Sequence, residues 1–356
     1  MRVAVIGGGI AGLSTAYFLA KMGAEVEVYE QKYLLYGASG RNSGGLTAQF
    51  ADEDLIKLAL RSLELYESIQ SEVGFNFLLR RDGYIKIAGE KDAATLEEEV
   101  SYQRKKGLDV EILQPNEVKE YFQDINSNAF ALASYYRDGG VVFPWPVIWG
   151  LAKGCRKLGT RIYDYSAVRV EVSGSEVLGV RVGDELRKFD CIVNAAGAWS
   201  KQISEQAGVE HENKIVKEEI CVTESLKPYI NPYILDISTG LHLSQSMRGE
   251  IVGGMVGREV EKINVKGSYD FLIRYARRVT ELVPKLKGLS VLRQWAGVYD
   301  VGKDGKPVLG FTKVRGFVQA NGFGRNGMSL GLAAGEALAK LILKGKNREI
   351  EKFSPT

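Results

Sequence analysis

The stretch MRVAVIGGGIAG, residues 1–12, decides the fold. It joins a short apolar run to a glycine-rich turn, and it is followed by helix-like residues 13–22 and a second apolar run that ends at Glu30. A strand, a G-x-G-x-x-G turn, a helix, a strand and an acid about 20 residues further on are, in this order, typical of a Rossmann-type dinucleotide-binding unit. A glycine-rich turn without a ligand is the alternative, and this context makes it the weaker interpretation.

The residues of this unit have separate expected tasks. The first glycine permits the tight turn, the second lets a pyrophosphate approach the backbone, and the third lets the helix pack close to the strand. The helix N-terminus offers N–H groups and a partial positive charge to phosphates, and the acid accepts hydrogen bonds from a ribose hydroxyl. The predicted cofactor-binding residues of this unit are Gly7, Gly9, Ile10, Ala11, Gly12, Glu30 and Gln31.

Length and composition limit the class of protein. A chain of 356 residues predicts two domains, and a net charge of +3 is too small to indicate a nucleic-acid partner or an anionic membrane surface. No run of about 18 apolar residues occurs, so no transmembrane helix is expected. Because the chain begins with the strand of the glycine unit, we expect no signal peptide and a cytoplasmic protein. Abundant Lys, Arg and Glu beside few His and Cys are typical of thermophile proteins.

Few residues are available for metal or nucleophilic chemistry. The three cysteines, Cys155, Cys191 and Cys221, form no C-x-x-C pair, and they are expected to be buried thiols. The histidines are His211 and His242 alone, which leaves little material for a Ser-His-Asp hydrolase or a histidine-rich metal centre. The sequence therefore predicts no metal site.

A second glycine-rich junction lies near the far end of the chain. The predicted strand 317–321 runs into GFGRNGMS, residues 322–329, and a helix follows. Two strand-to-helix junctions of this kind favour one ligand site built from both ends of the chain. The prediction is thus an α/β fold with a discontinuous Rossmann-type dinucleotide-binding domain at 1–83, 140–220 and 300–356. An α+β substrate domain on a mostly antiparallel sheet would be inserted at 84–139 and 221–299.

Four blocks carry a family resemblance over essentially the whole chain. They are GGGIAG at 7–12 with its acid at position 30, GASGRNSGGL at 37–46, VNAAGAWS at 193–200, and WAGVYDVGKDGKPVLG at 295–310 with GFGRNGMSLG at 322–331. In this order they resemble the FAD-dependent amine and amino-acid oxidoreductases of the D-amino acid oxidase superfamily. This superfamily includes sarcosine oxidase, glycine oxidase, dimethylglycine dehydrogenase and dye-linked proline dehydrogenases.

The resemblance implies further cofactor contacts along the pyrophosphate, the adenine and the flavin. The residues implied are Ser39, Gly40, Arg41, Asn42, Ser43, Val168, Ala196, Gly197, Trp199, Gly297, Gly324, Arg325, Asn326, Gly327, Met328 and Ser329. Some relatives attach FAD covalently through a histidine near the second block or a cysteine near the WAG block. Neither residue type occurs in those blocks here, so non-covalent FAD is expected.

The resemblance also implies where the substrate binds. Glycine and D-amino acid oxidases have an arginine two residues after the WAG glycine, whereas this chain has Tyr299, as secondary-amine and tertiary-amine enzymes often do. His242 lies in a strand-like segment that resembles the substrate-facing strand, although a satisfied core or surface histidine is the alternative. The remaining substrate-site candidates are Thr47 and Gln49 for the pocket and Arg81, Arg248 and Arg325 for a carboxylate anchor. A lysine that binds substrate in monomeric sarcosine oxidase is replaced here by Met328.

The expected reaction is FAD-dependent oxidation of the C–N bond of a small amine or amino acid, such as proline or sarcosine. Hydride would leave the carbon beside nitrogen for flavin N5 and give an imine, with Tyr299 and His242 as catalytic residues. Electrons would pass to dioxygen or to a dye-like or quinone-like carrier, and a second subunit is a candidate partner. The alternatives are a D-amino acid or glycine oxidase or dehydrogenase, an oxidase of alcohols such as glycerol 3-phosphate, and a flavin-bearing subunit of an electron-transfer complex.

Overall fold

The computed structural model describes residues 1–355. Its strands, in chain order, are β1 Arg2–Ile6, β2 Glu25–Tyr29, β3 Gly45–Leu46, β4 Tyr84–Ala88, β5 Val110–Leu113, β6 Leu132–Tyr136, β7 Gly140–Val141, β8 Arg161–Tyr163, β9 Arg169–Ser173, β10 Glu176–Val182, β11 Glu185–Lys188, β12 Cys191–Asn194, β13 Lys214–Ser225, β14 Tyr233–Asp236, β15 Leu241–Gln245, β16 Glu250–Glu259, β17 Val291–Val301, β18 Val308–Phe311 and β19 Phe317–Asn321. Its α-helices are α1 Ile10–Lys21, α2 Glu53–Val73, α3 Glu90–Lys105, α4 Pro144–Lys157, α5 Ser200–Gln206, α6 Tyr269–Leu282 and α7 Gly327–Lys344.

A six-stranded sheet carries the predicted nucleotide unit. Its spatial order is β18-β19-β12-β1-β2-β8, and every neighbouring pair is parallel except β18 with β19. The central strand β1 is almost wholly apolar and buried, as expected of a parallel strand covered on both faces. Helices α1, α2, α4 and α7 share the large hydrophobic core cluster with this sheet. The prediction of a Rossmann-type domain assembled from distant parts of the chain is confirmed.

An eight-stranded sheet forms the second unit, in the order β17-β13-β16-β15-β14-β4-β6-β5. All its neighbouring pairs are antiparallel except β4 with β14. One face, with residues such as Ile85, Ile234 and Leu243, packs on Phe271 and Tyr275 of α6. The predicted α+β unit on a mostly antiparallel sheet is therefore confirmed as a fold class.

The domain limits stay a prediction, but sheet membership shows how the chain is shared. Strands of the eight-stranded sheet come from 84–136 and 214–301, so β13 lies in this sheet from Lys214 onward. The predicted break at 220/221 falls in the middle of that strand. The reason is that β13 pairs with β17 on both sides of that break, from Lys214 opposite Val301 to Thr223 opposite Val291.

Smaller elements complete the chain. Strands β9, β10 and β11 form a three-stranded antiparallel sheet, and β3 pairs with β7. The long helix α2 begins where the carboxylate of Asp52 accepts hydrogen bonds from the backbone of Asp54 and Leu55, and it ends at Gly74, whose φ is +60°. Within residues 1–355 no helix is both long enough and apolar enough to cross a membrane. All three cysteines are buried and unpaired, as predicted.

Candidate active site

A cleft of about 210 Å³ opens at the carboxyl ends of β1, β2, β12 and β19. We call it the dinucleotide cleft. Its walls contain the glycine turn after β1, Glu30 after β2, Ala195 and Ala196 after β12, and Gly324 after β19. Ligands of open parallel sheets bind in this position, outside the carboxyl ends of the strands.

The glycine turn has a shape that only glycine allows. Gly7 has a φ of +114°, and a Cβ there would overlap the carbonyl oxygen of Ala195. A Cβ on Gly12 would in turn overlap the carbonyl oxygen of Gly7, so the first turn of α1 lies directly on the end of β1. The backbone is thus left open to a ligand at the point where the helix begins.

Glu30 is held at the mouth of this turn by backbone N–H groups. Its Oε2 accepts a hydrogen bond from the N–H of Gly8 at 3.0 Å, and its Oε1 accepts one from the N–H of Lys32 at 2.9 Å. Burial raises the pKa of this carboxyl, and the two backbone donors oppose that rise. A carboxylate with both oxygens directed in this way is a preorganised acceptor for hydroxyl groups.

The two glycine-rich junctions meet because α1 packs directly on α7. The hydroxyl of Ser14 donates to the carbonyl of Gly331 at 2.7 Å, and a Cβ on Gly331 would come within 2.8 Å of Cγ1 of Ile10. Neither helix has an acidic residue in its first turn, and the one side chain at the start of α1 is Ser39, whose Oγ accepts a hydrogen bond from the N–H of Ile10 at 2.9 Å. Both N-termini therefore offer N–H groups and positive partial charge to one ligand.

A second cavity of about 80 Å³ continues from the dinucleotide cleft, and six residues line both. We call it the inner pocket. Residues 41–45 and the start of α7 form one side, and the second face of the eight-stranded sheet forms the other. The sheet residues that line it are Tyr84, Glu218, Ile220, Tyr233, Gly297 and Tyr299. They share a face because the strand register places Glu218 opposite Gly297 and Tyr84 opposite Tyr233.

A polar chain of four side chains borders the inner pocket. Nη2 of Arg325 lies 3.3 Å from Nδ1 of His242, and Nε2 of His242 lies 3.4 Å from Oε1 of Glu218. The hydroxyl of Tyr299 donates to Oε2 of Glu218 at 3.0 Å. An arginine and a glutamate, the groups that recognise opposite ligand charges, thus line the same pocket.

Stacked aromatic rings form the rest of the sheet wall of the pocket, and a serine of the facing loop contacts one of them. The rings of Tyr84 and Tyr233 stack with centroids 4.8 Å apart, and Tyr233 stacks in turn on His242 at 6.0 Å. The hydroxyl of Tyr233 lies 2.8 Å from Oγ of Ser43 in the second sequence block. The wall is therefore tied to the loop that borders the dinucleotide cleft.

Burial controls the protonation states in the inner pocket. It raises the pKa of Glu218, against the opposing effects of Arg325 and of the Tyr299 hydrogen bond. Burial and the neighbouring Arg325 both hold the pKa of His242 well below its usual range, so its ring is neutral. The pKa of Tyr233 is raised to about 12 by burial, and its hydroxyl keeps its proton.

Most predicted cofactor residues line these two cavities. Those in the dinucleotide cleft are Gly7, Gly9, Ile10, Ala11, Glu30, Gln31, Ser39, Val168, Ala196, Gly197, Trp199, Gly324 and Gly327. Those in the inner pocket are Ser39, Arg41, Asn42, Ser43, Gly297, Gly324, Arg325, Asn326, Gly327, Met328 and Ser329. Gly12 and Gly40 line neither cavity; a Cβ on either would overlap a backbone carbonyl, so they shape the cleft from behind.

Only some of the predicted substrate residues line the inner pocket. Thr47, Tyr299 and Arg325 line the inner pocket, whereas His242 is fully buried behind it. Gln49 is also buried, and its amide donates to Oγ of Ser134 at 2.8 Å.

The other two arginine candidates lie elsewhere. The Arg248 side chain is 80% exposed and pairs with Glu250 at 3.0 Å. Arg81 pairs with Glu67 at 2.7 Å on the surface. Surface arginines with an acidic partner need no further explanation, so Arg325 is the one of these three candidates that lines the inner pocket.

Several lining residues were not predicted from the sequence. Glu218, Tyr84, Tyr233 and Ile220 line the inner pocket, and Asp300 lines the dinucleotide cleft. No local motif marks the first four, because their common face follows from the pairing of strands far apart in the chain. Asp300 directly follows Tyr299 and could have been found from that neighbour.

The comparisons with known proteins agree with this site. Residues 2–341 match the family described as DAO, FAD dependent oxidoreductase. The chain is similar to the mouse (Mus musculus) FAD-dependent oxidoreductase domain-containing protein 1, at 29% identity over 98% of this chain and 82% of that protein. It is similar to sarcosine oxidase subunit beta of Rhodobacter capsulatus, at 26% identity over 96% of this chain and 85% of that one.

A solved structure gives the same result. The crystal structure of L-proline dehydrogenase from P. horikoshii superposes with a TM-score of 0.93 and 29% identity, covering 99% of this chain and 96% of that one. A glycine turn that admits a pyrophosphate, an acid beside it, and two helix N-termini free of acidic residues suit FAD. The chain therefore belongs to the FAD dependent oxidoreductase family, and it is an FAD-dependent oxidoreductase.

Proposed function

We propose that this enzyme oxidises a C–N bond of a small amino acid whose nitrogen is a secondary amine, such as proline or sarcosine. The observation that carries the proposal is the guanidinium of Arg325, which lies in the inner pocket beside the cofactor cleft with Tyr84, Tyr233 and Tyr299 around it. The bound FAD would accept the hydride that leaves carbon, as this cofactor does in C–N oxidation.

Arg325 is suited to hold the substrate carboxylate. Guanidinium presents a planar fork of donors that matches a carboxylate, and its charge persists at every working pH. It stands in the GFGRNG junction, so its backbone is fixed by the turn that also supports the cofactor. An anchor in that position would hold the carbon next to nitrogen at a constant place relative to the cleft.

Tyr299 distinguishes the proposed substrate class from free primary amino acids. Its hydroxyl donates to Glu218, and its ring lines the pocket at the position where, by the resemblance, glycine and D-amino acid oxidases have an arginine. The ring adds apolar surface beside the polar chain, which suits a ring or methyl group on nitrogen. The printed names of the relatives, sarcosine oxidase subunit beta and L-proline dehydrogenase, support the same class.

The alternatives differ in the charge they bring into the pocket. Glycine or a D-amino acid would bind Arg325 equally well, and only the fit around Tyr299 disfavours them. Glycerol 3-phosphate would bring a doubly charged phosphate beside the carboxyl of Glu218, and like charges at close range oppose binding. The flavin of a subunit that has no turnover of its own would not be bleached by any of the amines.

The experiment is an anaerobic visible spectrum of the purified holoenzyme, titrated separately with L-proline, sarcosine, glycine, D-alanine and glycerol 3-phosphate. Bleaching of the flavin band by L-proline or sarcosine at far lower concentration than by the others supports the proposal. Bleaching by D-alanine or glycerol 3-phosphate alone contradicts it. Admission of air afterwards separates an oxidase, which regains colour, from a dehydrogenase that needs a dye-like or quinone-like acceptor.

A second subunit is a further part of the proposal. Sarcosine oxidase subunit beta is by its name one subunit of a larger enzyme, and it covers nearly the whole of this chain. We expect a tagged copy expressed in its source cells to bring down a second polypeptide in fixed ratio. Turnover with dioxygen or a dye by the isolated chain, at the same rate as by any complex, would argue against that dependence.

A further inference from the structure

Glu218 is the acidic residue that lines the inner pocket, and the proposed carboxylate anchor gives it no task. It lies on β13 opposite Gly297 and faces the pocket together with Ile220, while only 7% of its surface is exposed. Burial of a carboxylate costs free energy unless it is compensated, so its presence here needs an explanation.

Arg325 and Glu218 carry opposite charges and are kept apart in the pocket. In residues 1–355 no ion pair within 4.0 Å joins Arg325 to Glu218; the imidazole of His242 lies between them instead, 3.3 Å from the guanidinium and 3.4 Å from the carboxylate. A direct pair would neutralise both groups. Separated, each remains available to an opposite charge on a ligand, and a zwitterionic amino acid carries those two charges on neighbouring atoms.

The two carboxylate oxygens of Glu218 are not equivalent. Oε2 accepts a hydrogen bond from the hydroxyl of Tyr299 at 3.0 Å. The two ring nitrogens of His242 face different groups: Nδ1 lies 3.3 Å from Nη2 of Arg325, and Nε2 faces Glu218. That buried Nε2 has no hydrogen-bond partner among the described residues, although Oε1 lies 3.4 Å away. Oε1 is thus the oxygen with room for another donor.

We propose that Glu218 binds the nitrogen of the substrate through Oε1 and accepts its proton before oxidation, while His242 keeps this carboxylate apart from Arg325. This inference rests on the proposed amine-oxidising function and deepens it. Glu218 would be a catalytic residue, because it contacts the reacting nitrogen, and His242 a positioning residue.

The proton step balances without any further reactant. An amino acid in neutral solution carries an ammonium group, which has no lone pair to drive hydride from carbon. Transfer of one proton breaks an N–H bond, leaves the electron pair on nitrogen, and forms the O–H bond of protonated Glu218. No electron is gained or lost in this step, and the carboxyl returns its proton to solvent after the product leaves.

The surroundings of Glu218 favour such a role. The titratable and charged groups that face it are Tyr299 on β17, His242 on β15, Tyr233 on β14, Tyr84 on β4 and Arg325 before α7. Burial raises the pKa of its carboxyl, which brings a proton acceptor closer to the working pH. The three tyrosines and the neutral His242 carry no charge, so they cannot compete with a substrate ammonium for the negative charge of Glu218.

Two unreactive ligands test the inference on the unaltered holoenzyme. Cyclopentanecarboxylate has the carboxylate but no nitrogen, whereas N,N-dimethylproline has a fixed positive nitrogen and no proton to give. Each is titrated against the flavin absorption spectrum between pH 5 and pH 9. As Glu218 ionises, binding of N,N-dimethylproline should tighten and binding of cyclopentanecarboxylate should weaken, each by about tenfold or more. Parallel pH dependences of the two ligands would overturn the inference.

The variant Glu218→Gln keeps the side-chain volume and removes the proton acceptor. At pH 7 the anaerobic rate of flavin bleaching by the amino acid that bleaches the unaltered enzyme should fall by about a hundredfold or more. The loss should shrink at high pH, where free amine arrives already deprotonated. Glu219→Gln is the matched control, because Glu219 is the next residue of β13, on the other face, and accepts from Ser268 and Gln294.

The outcomes separate this inference from the proposed function. If no amino acid bleaches the unaltered enzyme, the proposed function fails whatever Glu218 does. If bleaching occurs and Glu218→Gln matches Glu219→Gln in rate and pH profile, the role of Glu218 is refuted and the function stands. Should Glu218→Gln lose FAD, the two-ligand titration of the unaltered enzyme decides alone.

Discussion

Ser14 donates its hydroxyl proton to the carbonyl oxygen of Gly331 across 2.7 Å, although 317 residues separate them in the chain. This bond joins the first helix to the last, and it lies one turn behind the two N-termini that form the cofactor cleft. The distance between those N-termini is therefore set by small residues in the helix interface, and this makes the interface testable.

Replacement of Gly335 by alanine should weaken FAD binding without touching the cleft. A Cβ at this position would overlap Oγ of Ser14, so α7 must move away from α1. Overpacking of this kind costs about 1–3 kcal/mol of stability, and we expect the dissociation constant of FAD to rise by about tenfold. Denaturant unfolding and fluorescence titration with FAD measure the two effects. Lys344→Ala, in the exposed last turn of the same helix, should change neither quantity.

Glu30→Ala removes an acceptor that holds the glycine turn from the side. The backbone N–H of Gly8 loses its partner, and a ligand hydroxyl loses a predicted one. A hydrogen bond to a charged group is worth about 1.5–3 kcal/mol, so affinity for FAD should fall by at least tenfold. Equilibrium dialysis with FAD checks this. Glu64→Ala, at an exposed position of α2, is the reference, and an affinity for FAD equal to that of this reference would remove Glu30 from the cofactor site.

Arg325→Met should abolish carboxylate recognition while leaving the flavin in place. Loss of one partner of a buried charge pair costs about 2–5 kcal/mol, so kcat/KM for the amino acid substrate should fall by roughly a hundredfold or more. The same variant should still bind FAD, which its visible spectrum reports. Arg248→Met is the matched control, because that side chain is 80% exposed and lies outside both cavities. A larger loss in the control than in Arg325→Met would contradict the assignment.

The buried histidine gives the protein a pH-dependent stability. His242 has a pKa well below its unfolded value, because of burial and of Arg325, so the unfolded chain binds more protons than the folded one when pH falls below about 6.5. The free energy of unfolding should therefore decrease as pH falls from 7 to 5, by up to about 1.4 kcal/mol per pH unit for this group.

Urea unfolding at pH 5, 6 and 7 measures this effect in the unaltered enzyme and in His242→Gln. The variant should show a smaller difference between pH 7 and pH 5 than the unaltered chain. Burial lowers the pKa of His211, the other histidine, to about 4. The variant His211→Asn should therefore remove a separate part of the difference in unfolding free energy between pH 7 and pH 5. An identical slope in His242→Gln and the unaltered enzyme would mean that His242 titrates normally.

FAD should dissociate when the protein is denatured with acid. Neither a histidine in residues 37–46 nor a cysteine in residues 295–310 is present to form a covalent bond to it. After precipitation, the yellow colour should remain in the supernatant. Colour retained in the washed pellet would show a covalent attachment through some other residue.

The glycine junctions and the cofactor could be predicted from the sequence because their constraints are local. Gly7 needs a positive φ and Gly12 packs against the preceding turn, and both glycines stand within six consecutive residues. The order of strand, turn, helix and acid then leaves few folds open, and the match to residues 2–341 agrees with that reading.

The substrate wall could not be predicted in the same way. Glu218, Tyr84 and Tyr233 come from three strands whose pairing brings them to one face, and no spacing in the chain reports that pairing. The position of the His242 side chain could not be predicted either. Its strand was identified, but the side chain lies behind the pocket against Arg325 and not on the surface of the pocket.

The contact between α1 and α7 also sets the order of events during synthesis. The glycine turn leaves the ribosome long before residues 327–344, so the nascent chain holds only part of its cofactor cleft until α7 has emerged. Co-translational folding can pair β1 with β2, yet β12, β19 and α7 must join them later. Loading with FAD is therefore a late step, and a ribosome stalled before Gly327 would carry a colourless chain.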